Sequence, residues 1–172
     1  GEDFVVGIRT AVDEMIPYGL TLDDMKAIIP VWDKTGKIDY ISQTVCTYKS
    51  AMMGIPPMMV PPRPFVYLAA EIRQLVDVPV TAAIRINDPV TANEIIKNHE
   101  ADMVVMTRAT ICDPRMPNKA KQGRLDDIRQ CISCNEGCWE RIEKLAPITC
   151  AQNPESGREG VFVLRPADPP KK

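Results

Sequence analysis

Cys131, Cys134, Cys138 and Cys150 stand in the run CISCNEGCWERIEKLAPITC, with the spacing C-x2-C-x3-C-x11-C. Three thiols on one tight loop and a fourth returning after a short excursion can surround one soft metal centre. Thiolates select iron–sulfur clusters, zinc or Cu(I). A cluster would make the segment an electron carrier, whereas zinc on the same ligands would make it a structural staple. The spacing leaves both open. Cys112 lies outside the run and reads as a small buried residue.

Three arginines form a second group. Arg9, Arg85 and Arg108 each follow a short apolar run. A guanidinium offers a fork of donors with a permanent charge, which suits a phosphate or an electron-rich ring. One such arginine is ordinary as a surface or ion-pair residue. Three at equivalent places are more simply explained by a shared ligand.

The elements that must position these residues follow from periodicity. Apolar runs at 4–9, 38–44, 79–84 and 102–106 read as strands, and amphipathic stretches at 22–32, 64–76 and 89–98 as helices. Thr21 caps the first helix, with Asp23 and Asp24 in its first turn, and Pro30 is expected to bend or end it. Asn87 and Asp88 cap the third. Residues 46–62, with Pro56, Pro57, Pro61 and Pro62, read as a long loop. A short helix near 118–122 leads to Gly123 and the cysteines. Nearly all-apolar strands separated by helices signal parallel strands covered on both faces. The expected class is α/β: four βα units, half of a (β/α)8 TIM barrel, with a flavodoxin-like doubly wound sheet as the alternative. In either, ligands sit at the carboxyl ends of the strands, where the three arginines are expected.

Composition narrows the classes further. The chain has 172 residues, 45% hydrophobic and 26% charged, enough for a real core. A net charge of -2 makes no electrostatic case for nucleic acid, and no apolar run approaches the ~20 residues that span a bilayer. With no export signal in view, four clustered cysteines favour a reducing, cytoplasmic setting. Both ends read as cut from a longer polypeptide, the last residues being Pro- and Lys-rich like a linker. The expected division is a half-barrel over 1–122, a cysteine segment over 123–160 and a linker over 161–172.

Together PVTAAIRINDP (79–89), ADMVVMTRATICDP (101–114), GRLDDIR (123–129) and the cysteine motif resemble one family. It is the NADH:flavin oxidoreductase family related to old yellow enzyme, in its iron–sulfur branch of 2,4-dienoyl-CoA reductases and trimethylamine and dimethylamine dehydrogenases. The resemblance covers essentially the whole chain. It implies an FMN-binding barrel, of which this chain is the C-terminal half, followed by a 4Fe–4S segment held by the four cysteines. It places Arg9 beside the flavin N1/C2=O edge, where negative charge collects on reduction. It places Arg85 and Arg108, with backbone amides near Ile84 and Thr107, at the FMN phosphate. Many relatives carry glycine where Ile84, Thr107 and Cys46 stand here.

The dienoyl reductases also have a catalytic histidine in the loop after the second of these strands. Tyr48 and Lys49 fall nearest that place, and the single histidine, His99, reads as solvated. Tyr48 could donate a proton to a substrate carbon or orient an amine; it reads equally as a loop aromatic packed under the prolines. No G-x-G-x-x-G occurs, so the implied FAD and NAD(P)H belong to a further domain, as does the first half-barrel. An electron-transfer flavoprotein is the other implied partner, and self-association as a homo-oligomer is compatible with exposed strand edges. The expected function is to pass electrons between a small-molecule substrate, of N-methylamine or enoyl type, and FMN, then through the cluster to or from a second flavin. The alternative is a zinc-stabilised, non-catalytic interaction module.

Overall fold

The computed structural model describes residues 3–165 and 168, so half of the expected linker over 161–172 (166, 167 and 169–172), like Gly1 and Glu2, lies outside the described residues. The chain divides into two compact units, Gly1–Thr107 and Arg108–Lys172. This division falls earlier than the one expected after residue 122.

The first unit is a parallel sheet of β1 (Gly7–Ala11), β2 (Tyr40–Thr44), β3 (Val80–Ala82) and β4 (Met103–Val104), in that spatial order. Between the strands run α1 (Leu22–Asp33), the short α2 (Ala51–Gly54), α3 (Val66–Arg73) and α4 (Pro89–Lys97). Thr21 and Asp24 close a capping box at the start of α1. Asp88 accepts the Thr91 N–H at 2.8 Å to start α4, with Pro89 in its first turn. Pro30 does not end α1: it sits in the last turn and the helix runs on to Asp33.

Each of α1, α3 and α4 turns an apolar stripe to the sheet. Met25 and Ile29 of α1, Leu68 and Ile72 of α3 and Ile95 of α4 join Ile41, Val80 and Ala82 of the strands in one buried cluster. All three helices therefore cover the same face. A strand order that never reverses, with helices on one face, is the pattern of a barrel segment rather than of a doubly wound sheet. Adjacent strands pair Arg9 with Ser42, and Ser42 with Thr81, on the alternate residues that point away from the helices. In a closed barrel that face is the interior.

The strands are shorter and more polar than expected. At the start of β1, Gly7 is required because the Tyr40 ring lies where its side chain would be, 2.1 Å from an added Cβ. β3 and β4 are fixed by Asp102, whose carboxylate accepts Val80 N–H and Arg73 Nε, each at 2.9 Å. Burial would raise the Asp102 pKa, but these donors outweigh it and hold it below the usual aspartate value.

The second unit holds α5 (Thr107–Cys112, its first residue in the sheet unit), α6 (Met116–Lys121), the cysteine loop and α7 (Trp139–Glu143). Its buried residues mix apolar Ala109, Cys112, Met116 and Ile128 with polar Asp113, Ser133, Asn153 and Ser156. Asp113 organises the polar part. Its carboxylate accepts Lys119 Nζ at 2.5 Å and the backbone N–H groups of Arg115 and Arg129, both at 3.0 Å.

Candidate functional site

In the second unit the four expected ligands come together. Cys131, Cys134, Cys138 and Cys150 all line one pocket, with Arg108, Asn135, Gly137 and Thr149 in its wall; its empty space is about 340 Å³, open mouth included. Ser133 and Asn135 take left-handed φ of +56° and +66°, which coils residues 131–138 tightly enough to present three thiols from one loop. The fourth arrives through a backbone tie: Thr149 N–H donates to Gly137 O at 2.6 Å. That approach needs glycine, since a Cβ on Gly137 would meet Thr149 O at 2.6 Å. Asn153, buried, donates Nδ2–H to Ile111 O at 2.9 Å and fixes the chain just beyond Cys150 onto α5.

The thiols are partly buried. Burial pushes the Cys138 pKa up, with the Trp139 N–H and the Arg108 guanidinium acting against it. A fifth thiol lies close by, unanticipated from sequence. Cys112 is fully buried, donates to Arg129 O at 3.3 Å, and is pushed up to about 12 by burial and by its neighbours Cys150 and Cys131.

Among the described residues, no three His, Cys, Asp or Glu side chains converge as a single metal ion requires. Four thiols lining one pocket are nevertheless the donor chemistry of a soft metal centre, iron–sulfur or zinc.

The first unit carries the other expected residues. Arg9 lies in the middle of β1 and not at its carboxyl end, because the strand begins three residues later than its apolar run and continues to Ala11. Its Nη1 donates to Ser42 Oγ at 3.1 Å, and Thr81 Oγ1 donates to the same oxygen at 3.2 Å. Cys46 follows β2 with φ +75°. Burial raises its pKa, while Gly54 N–H and the Arg9 charge oppose the rise. Beyond it a 3-10 turn over Tyr48–Ser50 is pinned to the loop after β1, Ser50 Oγ donating to Glu14 O at 2.6 Å. Tyr48 and Lys49 are exposed on this turn, so Tyr48 does not pack under the prolines.

After β3, Ile84 and Arg85 take φ of +79° and +55°. Left-handed backbone at a β-branched residue is uncommon. It explains why glycine suits position 84, and this chain keeps the backbone without the glycine. Arg85 donates Nη2–H to Met58 O at 3.0 Å, while its Nε–H is buried without a partner. An orphaned guanidinium donor at a strand end fits an anionic ligand. Thr107 ends the first unit and Arg108 begins the second. His99, with φ +57°, is exposed just past α4.

Residues 1–127, more than half of the chain, match the NADH:flavin oxidoreductase / NADH oxidase family. The chain belongs to that family. Over its whole length it is 39% identical to 26% of an N,N-dimethylglycine/sarcosine dehydrogenase of Chromohalobacter salexigens. It is 30% identical to 28% of a cinnamate reductase of Clostridium sporogenes, again over the whole chain. A solved complex of 2-naphthoyl-CoA reductase with 2-naphthoyl-CoA matches 97% of this chain and 26% of that one, with a TM-score of 0.89 and 28% identity. The chain thus spans about a quarter of the length of these relatives. Family and strand order agree on a parallel α/β fold of the TIM-barrel oxidoreductase class. No helix among the described residues is long and apolar enough to cross a membrane.

Proposed function

We propose that the chain supplies the second half of an FMN barrel and the 4Fe–4S segment of a flavin-dependent oxidoreductase. The observation that carries this reading is that four cysteines line one pocket in a member of the NADH:flavin oxidoreductase / NADH oxidase family. Bound FMN would exchange electron pairs with substrate, and a cluster would relay them singly to a further flavin, in an FAD- and NAD(P)-binding domain or a separate electron-transfer flavoprotein.

The chain's own residues take definite parts in this. Arg9 presents a permanent charge on the sheet face away from the helices, suited to the flavin N1/C2=O edge. Arg85, with its orphaned Nε–H and the neighbouring amide near Ile84, suits the phosphate. Tyr48 and Lys49 are exposed at the carboxyl end of β2 and serve as the candidate proton donor and substrate-orienting group. For the substrate we favour an N-methylamine, in line with the similarity to the dimethylglycine/sarcosine dehydrogenase. An enoyl-type acid is the second reading, supported by the similarity to cinnamate reductase.

Anaerobic reconstitution with ferrous iron and sulfide, followed by metal and sulfide analysis and a visible spectrum, tests the proposal. About four irons and four sulfides per chain, with a broad absorbance bleached on reduction, are expected for a 4Fe–4S site. One zinc and no colour despite excess iron would assign the cysteines to a structural role. Substrate class is then tested by assaying the holoenzyme with both: turnover of enoyl substrates alone would defeat the amine preference.

A further inference from the structure

The phosphate role expected from sequence uses Arg108 only as an anion binder, yet its side chain lies in the wall of the cysteine pocket. Arg108 Nη1 donates to Asn135 Oδ1 at 2.7 Å. Asn135 directly follows Cys134 and is held at φ +66°. The bond therefore ties the guanidinium to the loop that carries three of the four thiols. A guanidinium keeps its charge at every working pH and is weakly hydrated, so a partly buried wall suits it better than it would suit an ammonium.

We propose that Arg108 is a positioning residue for the cluster: its fixed charge, anchored on Asn135, stabilises the more reduced state and raises the potential at which the segment takes up an electron. The inference rests on the 4Fe–4S reading above. A cluster held by four thiolates is negatively charged overall in its ordinary states, and one added electron makes it more negative by one unit. A nearby cation stabilises the more negative state more, and local charge and hydrogen bonding to the sulfurs are among the levers that set such potentials. Partial burial limits the screening that would erase the effect at an open surface. Asn135 contributes by orientation: its amide oxygen holds one arm of the fork and keeps the charge against the thiols.

The test compares anaerobically reconstituted wild-type protein with Arg108→Gln and Arg108→Lys, reading iron and sulfide content and the cluster midpoint in a redox titration followed by electron paramagnetic resonance. Arg108→Gln with four irons is expected to show a reduced-to-oxidised ratio about tenfold lower at a given potential, equivalent to 59 mV for one electron. Arg108→Lys should stay nearer the wild type. If Arg108→Gln loses its iron while Arg108→Lys keeps it, the midpoint of Arg108→Lys decides: lower than wild type supports the inference, and equal or higher overturns it. A midpoint unchanged or raised in Arg108→Gln overturns it. Loss of iron in both variants also overturns it, because the fork geometry and not the charge would then matter. Wild-type protein that takes up no iron and sulfide refutes the cluster reading itself, a result distinct from any difference among variants.

Discussion

At the scale of single residues, the cysteine site depends on a glycine as much as on its thiols. Gly137 O receives Thr149 N–H, and this tie brings Cys150 back to the loop that starts at Cys131. Gly137→Ala would force a Cβ to 2.6 Å from Thr149 O. Overpacking of this kind costs about 1–3 kcal/mol, and here it acts on the ligand geometry directly. The expected outcome is reduced iron retention after reconstitution, with the α5–α6 region still folded by circular dichroism. Four-iron retention equal to wild type would show that the tie is dispensable. The four candidate ligands are legible in the sequence through residue type and spacing, and all four line one pocket. Gly137, Asn135 and Asn153 are not legible, since each acts through one backbone or amide contact that no periodicity announces. Cys112 is buried as read, but its nearness to the motif is not legible: sequence separates it from the run, and only the fold brings α5 beside Cys131 and Cys150. Ile84 and Cys46 show the converse. The glycine signature is missing, yet the left-handed backbone it would serve is present.

At the scale of elements, two carboxylates do much of the placing. Asp88 caps α4, and Asp88→Ala is expected to cost about 1 kcal/mol, read as a lower midpoint in urea. Asp113 links α5, α6 and the approach to Cys131. Burial alone would raise its pKa, but Lys119 and the Arg129 and Arg115 N–H groups outweigh that and hold it below 3.8, its ordinary value. A carboxylate depressed in the folded state adds stability above its unfolded pKa, and that stability is lost as pH falls through the folded value. The second unit should therefore keep the contribution at neutral pH and lose it on acidification below about pH 4. Asp113→Ala removes the carboxylate from a partly buried Lys119, which keeps only Asp127 O as acceptor, and should cost about 3 kcal/mol at pH 7. It should also flatten that acid dependence, and an unaltered acid profile would exclude the role. Helix caps and strand order are well signalled by sequence, through Thr21, Asp88 and the apolar runs. Strand length is not. The runs extend past the hydrogen-bonded pairs, and residues such as Arg9, Ser42 and Thr81 are polar because their face belongs to a barrel interior and not to a lipid-like core. Pro30 does not end the helix: it forfeits the N–H bond to Lys26, and the last turn is still closed by Lys34 N–H donating to Pro30 O at 3.1 Å.

At the scale of the whole molecule, the described sheet ends at β1 on one side and β4 on the other. Unpaired parallel edges invite association. The chain by itself is expected to dimerise or aggregate and to bind FMN weakly, as light scattering and flavin fluorescence would report. A monodisperse monomer that binds FMN tightly would refute this. The cysteine pocket faces a different constraint. Its wall comes from one continuous stretch, Arg108 to Gln152, so it is delivered by the ribosome in order. Three thiols emerge first, and at typical synthesis rates Cys150 follows about 0.6–2.4 s later. A nascent chain halted before Thr149 would carry three soft-metal ligands without the backbone tie that closes over them. Such a polypeptide could capture iron or copper and fail to retain it, so an interruption of translation within eleven codons would separate metal capture from metal retention.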